Sequence, residues 1–243
     1  MEYQMQLNAR LYFETYSNDE IIAEDTPLRE YKSYVIDGPV LDVGCGQSAF
    51  LLEYARKGRK VVALDNEPLQ LDLLKQRLLK EPEHDLNNWK FVLADFPATP
   101  LPNEVYSVII FSNLLHFFTL EQCVGIGKQI LVNTKLGSLI FIKVHSDKHY
   151  CNSPDDPERT SHFKHFFAPT DLDLVFVKEE FERIYLAQID QPYSSEDKRF
   201  TNMWLDAVYA HDGYTDPDEI DEMKEEYFRD ISQSEVVAIF RRR

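Results

Sequence analysis

The feature that most constrains this chain is a regular alternation of short apolar runs with segments of helical spacing. The runs occupy residues 40–44 (VLDVG), 61–65 (VVALD), 90–95 (KFVLAD), 106–111 (YSVIIF) and 138–144 (SLIFIKV). Between them, residues 48–57 carry Phe50, Leu51, Tyr54 and Ala55 at helical spacing, and Gly58 closes the segment. Residues 68–80 place Leu71, Leu74 and Leu78 on one stripe, with Pro68 suited to a first turn, and residues 120–132 carry Val124, Ile130 and Leu131. Continuously apolar strands separated by such helices need cover on both faces. The expected fold is therefore α/β, a doubly wound and mostly parallel sheet, whose ligands bind beyond the carboxyl ends of the strands. Residues 182–189 and 236–240 read as a sixth and a seventh strand.

With 243 residues the chain is long enough for one large α/β domain, and a single domain over 1–243 is expected. It divides into an aromatic, amphipathic helical cap (1–38), a ligand-binding core (39–190), an acidic helical insert (191–232) and the terminal strand (233–243). Within the insert, 196–211 aligns Phe200, Met203, Trp204, Ala207 and Val208, and 217–229 has a thinner stripe of Ile220, Met223 and Tyr227. The 26 Lys and Arg against 42 Asp and Glu give a net charge of −16, which repels a phosphate backbone and argues against a nucleic-acid partner. No apolar run approaches membrane-spanning length, and MEYQMQLNAR lacks the apolar centre of a signal peptide. Cys45, Cys123 and Cys151 are odd in number and widely spaced, as suits reduced thiols. A cytoplasmic protein without a membrane partner is expected.

The run VLDVGCGQSAF joins a strand to a helix through Gly44 and Gly46. Such a turn sets unshielded backbone N–H groups and a positive dipole end against a ligand, a nucleotide-binding geometry. Acids follow in order: Asp42 before the turn, Asp65 ending the second strand, Asp95 ending the third. An acid about 20 residues beyond the turn can accept ribose hydroxyls. One ending the third strand can accept the exocyclic amine of adenine, and together they describe an adenosine site. A nicotinamide site is the structural rival, since GCGQSA also satisfies G-x-G-x-x-A, but it leaves Asp42 and Asp95 without work.

Over residues 39–144 this pattern resembles the class I, seven-β-strand, Rossmann-like S-adenosylmethionine-dependent methyltransferases. The resemblance rests on LDVGCG at 41–46, Asp65 and Asp95, and departs from the family at Ser48 and Ser107. It implies S-adenosylmethionine as cofactor and S-adenosylhomocysteine as product. It implies that Asp65 holds the ribose, and that Asp95 with the Phe96 backbone and Asn66 meet the adenine. Gly44, Cys45 and Gly46 would lie beside the methionine moiety, and Asp42 counts with them among the cofactor-binding residues. The loop FSNLLHF, 111–117, would pass the sulfonium with Ser112 and Asn113. The resemblance also implies an antiparallel last strand, so the insert between strands six and seven would emerge on the ligand side.

Methyl transfer from a sulfonium is an in-line displacement that alignment in a closed site largely supplies. A general base is needed only for a nucleophile that is protonated at rest, and His116 and His145 are the candidates. The connection 145–169 also holds His149, Cys151, His162 and His165. His145 and His149 would need a helix to share a face, and 152–157 argues for turns, so no metal is assigned. Tyr12 or Tyr16 could close over the ligand. The acids of the insert favour a small-molecule acceptor that is not polyanionic, and a homodimer is compatible with the chain. A non-catalytic scaffold of the same fold, an NAD-dependent oxidoreductase and a protein or RNA methylase are the alternatives.

Overall fold

A computed structural model describes residues 26–46, 50–79, 86–155, 157, 159–192, 213–228 and 232–243, together with 198, 201–202, 205–206 and 209–210. Seven strands form one sheet: β1 (Val40–Val43), β2 (Val61–Asp65), β3 (Trp89–Leu93), β4 (Tyr106–Ser112), β5 (Thr134–His145), β6 (Phe181–Pro192) and β7 (Ser232–Arg242). Their order is β3-β2-β1-β4-β5-β7-β6. The first five are parallel, and β7 runs antiparallel between β5 and β6.

The apolar runs are continuous because each strand feeds two cores. Leu41 and Val43 of β1, Val62 and Leu64 of β2, Ile109 and Phe111 of β4, and Ile140 and Ile142 of β5 enter one. Val40, Val61, Ala63, Val108, Ile110, Leu139 and Phe141 enter the other. That period of two is the strand pleat, and every position is occupied because both faces are covered. The helices are α1 (Thr26–Glu30), α2 (Phe50–Arg56), α3 (Pro68–Leu79), α4 (Leu120–Gln129), α5 (Asp171–Val175) and α6 (Pro217–Phe228). Leu51, Leu71 and Leu74 of α2 and α3 cover the second core, whereas Cys123 and Ile126 of α4 and Leu172 of α5 cover the first. A capping box starts α4, with Thr119 accepting from the Gln122 amide and Gln122 from the Thr119 amide. Further along α4, Gly127 sits so close to α5 that a Cβ there would lie 2.0 Å from the Val175 carbonyl oxygen.

Three strands are longer than their hydrophobicity indicates. β5 begins at Thr134 rather than 138, because Thr134 still pairs with Tyr106 across a register irregularity and Gly137 turns through φ +87°. β6 and β7 pair along their whole lengths, from Phe181 opposite Arg242 to Pro192 opposite Ser232. Their polar ends project past the core, where burial leaves no imprint on the sequence. The connection from β6 to β7 therefore leaves and returns at the carboxyl edge of the parallel strands. Residues 201–202, 205–206 and 209–210 have helical backbone within the expected 196–211 helix; the stripe from Phe200 to Val208 lies outside the described residues.

Tyr12 and Tyr16 also lie outside them. What is described of the N-terminal region covers the second core: Leu28 is buried there and the Tyr31 hydroxyl donates to the Ile184 carbonyl at 2.9 Å. Among the described residues no helix is long and apolar enough to cross a membrane.

Candidate functional site

The sheet order reverses between β1 and β4, and the glycine turn after β1 stands at that switch point. Gly44 and Gly46 adopt φ of +68° and +49°, the left-handed region that a side chain disfavours. The amides of the turn are committed inside the protein. Gly44 and Cys45 N–H donate to the Leu64 carbonyl at 2.8 and 3.0 Å, and Gly46 N–H donates to Asp65 Oδ2 at 2.8 Å. This corrects the expectation of unshielded N–H groups at these three positions: the tight turn aims them back at β2. The two glycines differ in their surroundings. A Cβ on Gly44 would lie 2.8 Å from Leu114 Cδ1, whereas one on Gly46 would meet no described atom within 4 Å.

Asp65 closes the turn from the other side. Its Oδ1 accepts the Glu67 amide at 2.9 Å, so the carboxylate bridges two backbone segments. Burial raises its pKa above the ordinary carboxylate value, opposed by the Glu67, Gly46 and Asn66 amides. Asp42 is 1% exposed and pairs in register with Ala63 and Ile110, so it lies within β1, one residue before the strand's end. The Cys45 thiol, also buried, is pushed up by desolvation and by the Asp42 and Asp65 charges, and stays protonated.

The third acid departs from expectation. β3 ends at Leu93, and Asp95 lies two residues beyond, exposed, in the loop that Phe96 anchors by packing 6.0 Å from the Phe111 ring. Ala94 N–H reaches the Asp65 carbonyl at 3.0 Å, so the Asp95 loop remains tied to the end of β2. Asn66 is exposed on the same edge. On the other side of the switch point, Ser112 ends β4 and Asn113 takes φ +53°, with its amide donating to the Lys143 carbonyl at 2.8 Å. This bend carries the chain to Leu114, which closes on Gly44. The structure thus brings Gly44, Gly46, Asp65 and Leu114 together beyond the ends of β1 and β2, with Asn66 and Asp95 exposed nearby.

His116 and His145 meet beyond that loop. Their rings stack at 3.8 Å and 18°, and His149 continues the column at 3.9 Å and 12° from His145. His145 and His149 share a face without a helix, contrary to expectation, because a turn closed by the His149 amide on the Ser146 carbonyl folds one ring over the other. Nδ1 of His116 accepts the His145 amide at 3.3 Å, and Nδ1 of His149 accepts the Cys151 amide at 3.3 Å. Each of these two rings therefore carries its proton on Nε2. Burial holds all three neutral, pushing His116 down to about 3 and His149 to about 4, with His145 lower still under the added influence of His116 and His149. Stacked rings turn their nitrogens outward in parallel rather than toward a common point. Among the described residues, no group of three or more His, Cys, Asp or Glu is arranged to hold a metal.

Sequence reasoning missed the rings around this column. Phe163 stands edge-on to His116 and His145, with centroids 5.0 and 4.6 Å away, and the Tyr150 hydroxyl lies 3.5 Å from that of Tyr227 on α6. A Phe-His-rich run at 162–167 was the available signal, but its loop has no periodicity to aim it.

The fold and the turn define a doubly wound, seven-stranded nucleotide-type domain, and comparison with known proteins narrows it. A family model described as "Methyltransferase domain" matches residues 40–135. The 2-heptyl-1-hydroxyquinolin-4(1H)-one methyltransferase of Mycobacteroides abscessus is 29% identical over 126 residues, 52% of this chain and 54% of that protein. "Probable ribosomal RNA small subunit methyltransferase A" of Methanosphaera stadtmanae is 30% identical over 86 residues, 32% of each chain. The matches thus span a third to about half of the lengths of these curated relatives. A methyltransferase from Thiobacillus denitrificans, solved with S-adenosyl-L-homocysteine, superposes with a TM-score of 0.61 at 17% identity, covering 96% of this chain and 98% of that one. Residues 40–135 thus match a methyltransferase domain, and the seven-stranded fold is shared with S-adenosylmethionine-dependent methyltransferases.

Proposed function

We propose that the whole chain works as a single cytoplasmic methyltransferase domain that methylates a neutral or cationic small molecule. The observation that carries this reading is the turn of Gly44 and Gly46, locked to Asp65, with no described atom within 4 Å of where a Gly46 Cβ would stand. Asp65 offers its remaining lone pairs to the ribose hydroxyls. Asn66, Asp95 and the Phe96 backbone meet the adenine, while Gly44, Cys45, Gly46, Ser112 and Asn113 flank the methionine moiety. Asp42 braces the floor of the turn. S-adenosylmethionine supplies a methyl carbon whose bond to sulfur breaks as the acceptor's lone pair bonds to it, leaving S-adenosylhomocysteine.

The residues beyond the turn need only align the acceptor and exclude water. His116 and His145 serve poorly as general bases, because a base works best with a pKa near the operating pH and these lie far below it. We assign them to the wall of the acceptor site. The insert, whose two ends meet at Pro192 and Ser232 on the carboxyl edge, acts as a cap. Its acids, among them Asp216, Asp218, Glu219, Asp221, Glu222, Glu225 and Glu226, disfavour polyanions. A small-molecule acceptor is supported by the quinolone-methylating relative, and the charge of −16 counts against the RNA-methylating one.

Calorimetric titration with S-adenosylmethionine, S-adenosylhomocysteine and NAD, on the wild type and on Asp65→Ala, tests the assignment. The first two should bind, NAD should not, and the substitution should weaken binding. Binding of NAD alone would replace the reaction class; binding of none would favour a scaffold.

A further inference from the structure

The edge of the sheet opposite the glycine turn carries a segment whose polarity is inside out. Residues 130–138 lead from α4 into the core of β5, and three polar side chains fasten them. The Asn133 amide donates to the Pro102 and Glu104 carbonyls at 2.9 and 3.0 Å, and Thr134 Oγ1 to the Ile130 carbonyl at 3.0 Å. Ser138 Oγ accepts the Lys135 amide at 3.0 Å and donates to the Tyr106 carbonyl at 2.7 Å. All three side chains are buried. Val132 and Leu136 turn outward instead, 79% and 77% exposed, more than any other large apolar side chain described. A lone exposed aliphatic is ordinary. Two on one pinned turn, with polar residues in the buried positions, hold a fixed apolar tip in water.

Cations without acid partners share this edge. Val61, Val40, Val108, Leu139 and Arg241 pair in one row across the sheet, so the residues before β2 and β5 and after Arg241 stand on the same side. Lys60 precedes β2, Lys128 and Lys135 flank the apolar tip, and Lys178 precedes β6. All four are exposed, and among the described residues none forms an ion pair; Lys135 Nζ donates to the Asp37 carbonyl at 3.0 Å. Of the acids at these strand ends, Glu104, Glu180 and Glu182 are engaged by Lys90, Arg242 and Arg241, which leaves Asp37 and Glu179. The net charge of −16 does not decide what meets this edge, because in physiological salt charges beyond about 8 Å are screened.

The structure assigns this edge to peripheral contact with an anionic lipid surface, with Val132 and Leu136 entering the acyl boundary and the four lysines meeting headgroup charge. A lipid surface offers both chemistries in one plane, hydrocarbon beneath and anions above. A second copy of the chain offers only one of them, since the exposed positions of α6 after Pro217 are all Asp and Glu, with no aliphatic counterpart. A nucleic acid would use the cations and leave the aliphatics in water. The glycine turn lies at the opposite edge, so such contact leaves that end of the molecule free, and the inference stands whether or not the methyltransferase reading does.

The test is co-sedimentation of the full chain with vesicles of phosphatidylcholine alone or with about 30% phosphatidylserine, at about 0.1 M salt. The partition coefficient should be at least about tenfold higher on the anionic vesicles. Leu136→Ser should lower it about tenfold through lost apolar burial, and Lys128→Gln made together with Lys135→Gln about tenfold through lost charge. Raising the salt to about 0.5 M should shrink the second effect and spare the first. All three side chains are exposed, and thermal melts matching the wild type report that the variants fold. Binding to neither vesicle, or equal binding to both, would overturn the inference, as would variants that bind like the wild type. A wild-type dimer in sedimentation velocity without vesicles, dissolved by Leu136→Ser, would overturn it in favour of a second copy.

Discussion

Gly44 and Gly46 share a conformation but should fail differently when replaced by alanine. At Gly44 two costs combine. A side chain at φ +68° costs about 1–2 kcal/mol. Its Cβ would also sit 2.8 Å from Leu114 Cδ1 and 3.3 Å from Cδ2. Carbon atoms prefer about 3.5–4.0 Å, so Leu114 must retreat by about 1 Å. Overpacking of this kind adds about 1–3 kcal/mol, for a total of about 2–5 kcal/mol. A domain of ordinary stability survives that loss, and urea melts should register it as a midpoint lowered by about 1–2 M. At Gly46 only the conformational part applies, because a Cβ there meets no described atom within 4 Å. Its loss should stay near 1–2 kcal/mol. The same methyl group would, however, enter the space assigned to the ligand, so affinity for S-adenosylhomocysteine should fall by about tenfold or more. Leu114→Ala made together with Gly44→Ala separates the terms, since it removes the clash and not the strain. The double-mutant cycle should return a coupling of about 1–3 kcal/mol. Equal destabilisation by the two alanines, or undiminished nucleoside binding by Gly46→Ala, would refute the division of labour between the glycines.

The histidine column should make stability depend on acid. His116 and His149 have folded pKa values depressed to about 3 and about 4, against about 6.5 in the unfolded chain. Between those limits the unfolded state binds more protons. Stability is thus fully present above about pH 6.5 and declines as pH falls toward 4, by up to about 1.4 kcal/mol per pH unit for each histidine. Urea midpoints from pH 7.5 to 4.5 should fall more steeply in the wild type than in His116→Phe; parallel curves would count against burial of neutral rings. In α4, Gly127→Ala would drive a methyl into the Val175 carbonyl and should cost more than about 2 kcal/mol, whereas Gly125→Ala, with no described atom within 4 Å, should be neutral or stabilising. A thermal melt of each distinguishes them.

The central strands were legible because burial on both faces writes an uninterrupted apolar run, as in Val61–Asp65. The polar ends of β6 and β7 left no such mark, and their length comes from pairing with each other. At the site, residue types were readable and directions were not. LDVGCG located the turn, yet whether its amides faced a ligand or the Leu64 carbonyl depended on a hydrogen-bonding choice that composition does not encode. Asp95 was assigned to a strand end because KFVLAD is apolar up to it, but ladder pairing stops at Leu93. The union of His116, His145 and His149 depended on a turn around Ser146, invisible to any periodicity. Such juxtapositions belong to loops, and loops carry function for the reason that makes them hard to read.

The antiparallel passage of β7 between β5 and β6 has a consequence for how proteins of this design diversify. Because Pro192 faces Ser232 across the ladder, the segment between them is topologically one long hairpin loop rooted at the carboxyl edge. Doubling such a loop costs only about 0.6 kcal/mol of closure entropy, and no strand need shift to admit it. The sheet can therefore stay unchanged while the loop rooted at Pro192 and Ser232 varies in length and sequence, a join that separates the part of the chain free to change from the part that holds the fold.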